Sequence, residues 1–219
     1  CIDLALDVGT SVVITMSGTA PPPEVGREKA WGWLLENIAD CTRYAAEQGV
    51  NFAFETAGAA MVRSMSGPTG LSKVLADLEE EKLYVNLDTA HLLVMGEDPA
   101  AWARKLGLRI VHVHMKDARI LRPGVESERT ADSWKDTKSS RPGEKKVSFL
   151  GVALGFECPP LGQGEVNFRE IAKALREIGY QGFLSVEYMG HLFGYHQDRW
   201  DPWEVVAQSK RFMDELLSQ

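Results

Sequence analysis

Five short runs rich in β-branched and aromatic residues alternate with segments of helical period, and this alternation constrains the fold more than any other feature. The runs are SVVITMSG (11–18), VNFAFET (50–56), LYVNLD (83–88), RIVHVHMKD (109–117) and GFLSVEYMG (182–190). Helices are expected over Glu28–Gln48, Gly70–Lys82, Pro99–Leu106, Asn167–Ile178 and Pro202–Leu217. In Asn167–Ile178 the apolar Phe168, Ile171, Ala172, Leu175 and Ile178 recur at steps of three and four, with Arg169, Glu170, Lys173 and Arg176 on the other face. Asn167 suits an N-cap and Gly179 the residue past the helix end. The Asp-Pro pairs at 98–99 and 201–202 place proline at a helix start. Strands that are apolar almost throughout have no side to give to water. Alternating with helices, they imply a parallel sheet covered by those helices.

Four of the five runs end in a residue able to bind a metal or move a proton: Glu55, Asp88, His114 and Glu187. In a parallel α/β fold the carboxyl ends of the strands share one face, so these four side chains are expected to converge there. Three carboxylates and an imidazole suit a divalent cation with positions left open for substrate. A single acidic residue after a strand is often only a turn residue or a helix cap, but four in successive strands favour a site. His91 is open between capping the following helix and touching substrate. His112 shares a strand face with His114 and is expected to lie deeper in the core. Lys116 and Asp117 are candidates for contacts behind the metal ligands, and Arg119 for an anion contact or a solvated loop position.

Composition sets the outer limits. The 219 residues suit one domain, and with 44% hydrophobic and 25% charged residues the chain is ordinary for a soluble protein. Three scattered cysteines, Cys1, Cys41 and Cys158, form no C-x-x-C pair and fit a reducing cytoplasm. No apolar run approaches the ~20 residues of a membrane helix. A net charge of −7 argues against broad nucleic-acid binding, so the expected partner is a small molecule, with a homo-oligomer left open. Residues 118–163 form a long connection, polar and basic in its middle, and are expected to lie over the open face of the site as a substrate-shaping loop.

FETAG (54–58), LDTAH (87–91), HVHMKD (112–117) and GQGEVNF followed by GYQGFLSVE (162–168, 179–187) resemble, in order and spacing, the signatures of the xylose-isomerase-like TIM barrels. The resemblance covers nearly the whole chain. It implies a (β/α)8 barrel of which this chain contains the last five βα units, with roughly three units, on the order of 90 residues, absent from the front. It implies a metal, Mn²⁺ by preference with Mg²⁺, Co²⁺ or Zn²⁺ compatible, held by Glu55, Asp88, His114 and Glu187. In the ketose epimerases of the family the two glutamates also shuttle protons, which assigns Glu55 and Glu187 as catalytic. His91 matches the substrate-contacting histidine. Lys116 and Arg119 are expected to join it in substrate binding, although Arg119 is not clearly in register with the family's arginine.

The chemistry implied is removal of a proton beside a carbonyl, through an enediolate stabilised by the cation, on a carbohydrate substrate. The first expectation is a sugar isomerase or epimerase. Its alternative is a lyase or dehydratase acting on a keto-sugar, keto-inositol or 3-keto-glycoside with the same apparatus. An endonuclease-IV-like nuclease would need an Asp-x-His before the G-x-G segment, where ERTADSWKDTKSS has no histidine. A non-catalytic sugar-binding barrel is disfavoured by the complete ligand set.

Overall fold

The structure, a computed structural model, describes residues 1–16, 24–56, 68–79, 81–120, 156–188 and 201–218. Helix α1 (Ile2–Val8) leads into strand β1 (Val12–Thr15), and α2 (Arg27–Glu47) into β2 (Asn51–Glu55). Then come α3 (Pro68–Asp77), β3 (Tyr84–Asp88), the short α4 (Thr89–Val94), α5 (Pro99–Leu106) and β4 (Ile110–Met115). A two-residue strand β5 (Arg119–Ile120) and its partner β6 (Phe156–Glu157) precede α6 (Phe168–Glu177), β7 (Phe183–Val186) and α7 (Pro202–Leu217). Helix ends expected from sequence fall within two residues of these bounds, except that α3 ends at Asp77, five residues before the expected Lys82. Asp98 and Asp201 cap α5 and α7 as the Asp-Pro pairs imply, Asp98 accepting from the Ala100 N–H and Asp201 from those of Trp203 and Glu204. Sequence reasoning missed α4, whose TAHLLV continues the apolar character of the strand before it.

The five long strands form one parallel sheet in the order β1-β2-β3-β4-β7. This is the parallel, helix-covered α/β arrangement expected, and it constitutes five strands of a TIM barrel. Period two sorts the side chains. Phe52, Phe54, Val85, Leu87, Val113 and Met115 face the helices and are buried with Leu71, Val74, Ala103, Ile171 and Leu175 in the main core. The alternate positions Asn86, Asp88, His112, His114 and Ser185 fall on the other, inner face. Register completes the placement: Asp88 stands opposite His114 across the β3–β4 pair, and Met115 opposite Val186 across β4–β7. The strand ends therefore lie level, and side chains leaving them meet.

Helix α6 is fastened at its start by Asn167, whose side-chain oxygen accepts from the Glu170 N–H at 3.3 Å. Its apolar face buries Phe168, Ile171, Ala172, Ala174 and Leu175. Asn167→Ala should lower stability by about 1 kcal/mol through loss of this cap, measured as a shift in the urea midpoint at unchanged slope.

The greater part of the 118–163 connection lies outside the described residues. Its two ends are described, and β5 and β6 join them as an antiparallel ladder, Arg119 opposite Glu157 and Ile120 opposite Phe156.

Candidate metal centre

The ligand atoms of Glu55, Asp88, His114 and Glu187 all lie within 4.8 Å of one another. Glu55 and Asp88 end β2 and β3, His114 is the penultimate residue of β4, and Glu187 follows β7 directly. The Glu187 N–H donates to the Met115 carbonyl, so this residue still belongs to the sheet's hydrogen bonding.

Asp88 answers both readings open to it. Its Oδ1 accepts from the His91 N–H at 2.8 Å and caps α4. Its Oδ2 is buried and, among the described residues, accepts no hydrogen bond, the nearest cationic group being the Lys116 ammonium at 3.5 Å. A carboxylate oxygen wholly removed from water costs free energy unless a cation or donor meets it. This oxygen, with three further donors at metal-binding spacing, fits a divalent ion. Zinc, manganese and magnesium all accept such oxygen and nitrogen donors.

Two threonines, unremarked in the sequence reading, set the strand ends. Thr56 accepts the Asp88 N–H at 2.8 Å through Oγ1, tying the end of β2 to the end of β3. Thr89 donates through Oγ1 to the Lys116 carbonyl at 2.6 Å and accepts the Lys116 N–H at 3.1 Å, tying β3 to β4. Each threonine directly follows a carboxylate of the cluster, and the repeated acid-Thr pair in FETAG and LDTAH was the available signal.

His91 and Lys116 lie inside the cluster. His91 is buried, its Nδ1 3.4 Å from both Glu55 Oε1 and Asp88 Oδ2, its Nε2 3.3 Å from Lys116 Nζ. The Lys116 ammonium sits 3.1 Å from Glu187 Oε2 and 3.5 Å from Asp88 Oδ2. His114 Nδ1 lies 3.1 Å from Glu187 Oε2 and the same distance from Asn86 Nδ2. His112 stacks edge-on against His114 with ring centroids 5.4 Å apart, on the shared face that period two requires.

These contacts pull the titrations apart. Burial raises the Asp88 carboxyl, with His91 and Lys116 opposing it. Burial also works to raise Glu187, but its hydrogen bond with His114 and the Lys116 ammonium outweigh it and hold the carboxyl far below the usual range. Burial alone would lower Lys116, yet Asp88 and Glu187 keep its ammonium form strongly favoured. For His114 burial is likewise overruled, by Glu187 first. Neighbouring carboxyls with opposite shifts are a mark of acid–base sites.

Asp117 and Arg119 lead elsewhere. Asp117 is buried, and its carboxylate accepts four backbone N–H groups: Gly162 at 2.9 Å, Gly164 at 2.7 Å, Ala118 at 2.8 Å and Val166 at 3.1 Å. It clasps the segment that returns the chain to α6. At Gly164 an added Cβ would lie 2.2 Å from Asp117 Oδ1 and 2.5 Å from the Ala118 carbonyl, so this close approach needs glycine. Arg119 donates to the Gln163 carbonyl on the same segment.

The chain belongs to the xylose isomerase-like TIM barrel family, whose family model matches residues 1–216. Among curated proteins it is similar to an inosose dehydratase of Clostridium beijerinckii, 30% identical over 161 residues covering 73% of this chain and 47% of that protein. The chain thus spans about half the length of the curated relatives it matches. Among solved structures it resembles an L-ribulose 3-epimerase with a TM-score of 0.70 at 18% identity, over 99% of this chain and 64% of that one. It also resembles IOLI protein with a bound zinc atom, TM-score 0.66 at 16% identity, over 99% of this chain and 66% of that one. The structural likenesses establish the fold. Among the described residues no helix is long and apolar enough to cross a membrane.

Proposed function

We propose that this chain carries the metal centre of a divalent-cation-dependent lyase that removes water from a keto-polyol of the inosose class. The observation that carries the reading is the convergence of Glu55, Asp88, His114 and Glu187 within 4.8 Å, with Asp88 Oδ2 buried and accepting no hydrogen bond among the described residues. The curated relatives are named as dehydratases, which favours elimination over the isomerase and epimerase expectation. Glu55, Asp88, His114 and Glu187 would hold the cation, Mn²⁺ by preference. A structural relative described with a bound zinc atom supports a divalent ion in this reading. Bound there, a cation would draw electrons from the substrate carbonyl oxygen and acidify the neighbouring C–H bond.

The chain's own groups then divide the work. Glu187 has a side chain 25% exposed, against 9% for Glu55, and is the carboxylate better placed to meet substrate. It takes the proton from the carbon beside the carbonyl, the electron pair forms the new C=C bond, and the hydroxyl on the next carbon leaves with a proton as water. Glu55, whose Oε1 lies 3.4 Å from His91 Nδ1, is the second proton-handling group. His91 is assigned to the substrate's hydroxyls, whereas Arg119, held to the Gln163 carbonyl, is not used in the mechanism. The described start of the 118–163 connection, residues 118–120, leaves just past the carboxyl end of β4.

Incubating the Mn²⁺-loaded protein with a keto-inositol in D₂O tests this directly. NMR and mass spectrometry should show loss of one water and an enol or diketone product. Deuterium entering beside the carbonyl with no water lost would place the site with the isomerases and epimerases. No exchange and no product across a panel of keto-polyols would overturn the proposal.

A further inference from the structure

Glu55, Asp88 and Glu187 bring three carboxylates into one small space, and Asp88 has no exposed surface. Like charges this close in a weakly polar interior repel strongly and do not persist without a counter-charge. The structure supplies one from within the sheet. Lys116 lies two residues beyond His114 on the same face, has a side chain 1% exposed, and contacts both Glu187 and Asp88. A lysine is rarely buried to this degree unless paired. Its ammonium is a point charge on a flexible stem, able to shift as the ring's occupancy changes.

We propose that Lys116 is a resident counter-charge of the metal centre, a positioning residue that sets which ion charge the ring accepts. Three carboxylates and one ammonium leave two negative charges among the described residues of the ring, which one divalent cation neutralises. Lys116 holds Asp88 and Glu187 together while the cation is away and weakens cation binding enough for exchange. This inference rests on the metal-site reading above and deepens it.

Lys116→Met keeps the length of the stem and removes the charge. With the intact protein, calorimetry should show Mn²⁺ bound at least ~10-fold more tightly than in wild type, because one nearby positive charge is gone. The metal-free variant should melt at a lower temperature than metal-free wild type, and Mn²⁺ should raise its Tm by more. Adding Glu187→Gln to Lys116→Met removes a negative charge as well and should restore part of the metal-free Tm, which a lost packing contact would not allow. If Lys116→Met fails to fold even with Mn²⁺, Lys116→Gln serves in the same measurements. Equal or weaker Mn²⁺ binding by the charge-removed variant, with wild type binding normally, overturns the counter-charge and leaves the metal site standing. If wild type itself binds no Mn²⁺, Zn²⁺, Mg²⁺ or Co²⁺, the metal-site reading fails, and this inference with it.

Discussion

Glu187→Gln should lower turnover by roughly 10² or more while the protein still takes up metal. Glutamine has the size of glutamate and keeps one carbonyl oxygen, but it carries no charge and accepts no proton at neutral pH. Glu187 sits where both properties matter. Its Oε2 lies 3.1 Å from His114 Nδ1 and 3.1 Å from the Lys116 ammonium, and its side chain is the more exposed of the two glutamates. Loss of the charge should weaken metal binding, though less than His114→Ala, which removes a donor atom outright. His91→Ala should leave metal content near that of wild type and raise KM, since His91 is assigned to substrate and not to the metal. Metal stoichiometry measured beside kcat and KM separates these roles. Near-normal kcat in metal-loaded Glu187→Gln would end the proton-transfer assignment, and loss of metal in His91→Ala would mean that the ligand set is wrongly drawn.

Asp117→Ala should cost about 3 kcal/mol or more of folding stability. The carboxylate accepts the N–H groups of Ala118, Gly162, Gly164 and Val166, and an alanine methyl can accept none of them. Water could reach the freed donor of exposed Gly162, but Ala118 and Val166 are buried and Gly164 is half-buried. Asp117→Asn keeps one acceptor oxygen and should fall between wild type and alanine. Urea unfolding measures the loss, and amide exchange at residues 162–166 locates it. A cost below about 1 kcal/mol would mean that the clasp adds little to the fold.

Much of the site was legible along the chain because its logic is periodic and local. Strand runs, Asp-Pro helix starts and the Asn167 cap follow from dihedral preferences and orphan N–H groups near in sequence. The parallel arrangement follows from largely apolar strands alternating with helices, and it requires that residues at successive strand ends share one face. Glu55, Asp88, His114 and Glu187 were therefore readable as a set before any coordinates. The family signatures pointed to the same four.

What stayed hidden depends on contacts between residues far apart in sequence. Nothing local to LDTAH says that one oxygen of Asp88 caps α4 while the other faces the Lys116 ammonium. Lys116 and Asp117 are adjacent and looked equivalent. Strand alternation sends them to opposite sides, but only the tertiary structure supplies Glu187 to one and the 162–166 backbone to the other, across 71 and 45 to 49 residues. The two-residue ladder of β5 and β6 is too short for any periodicity to announce it. The sequence by itself determined which chemical groups stand at the strand ends, because a strand's period and direction are set by its own backbone. The fold decided which of those groups touch, because burial, charge pairing and the completion of hydrogen bonds depend on neighbours brought together only when the chain closes.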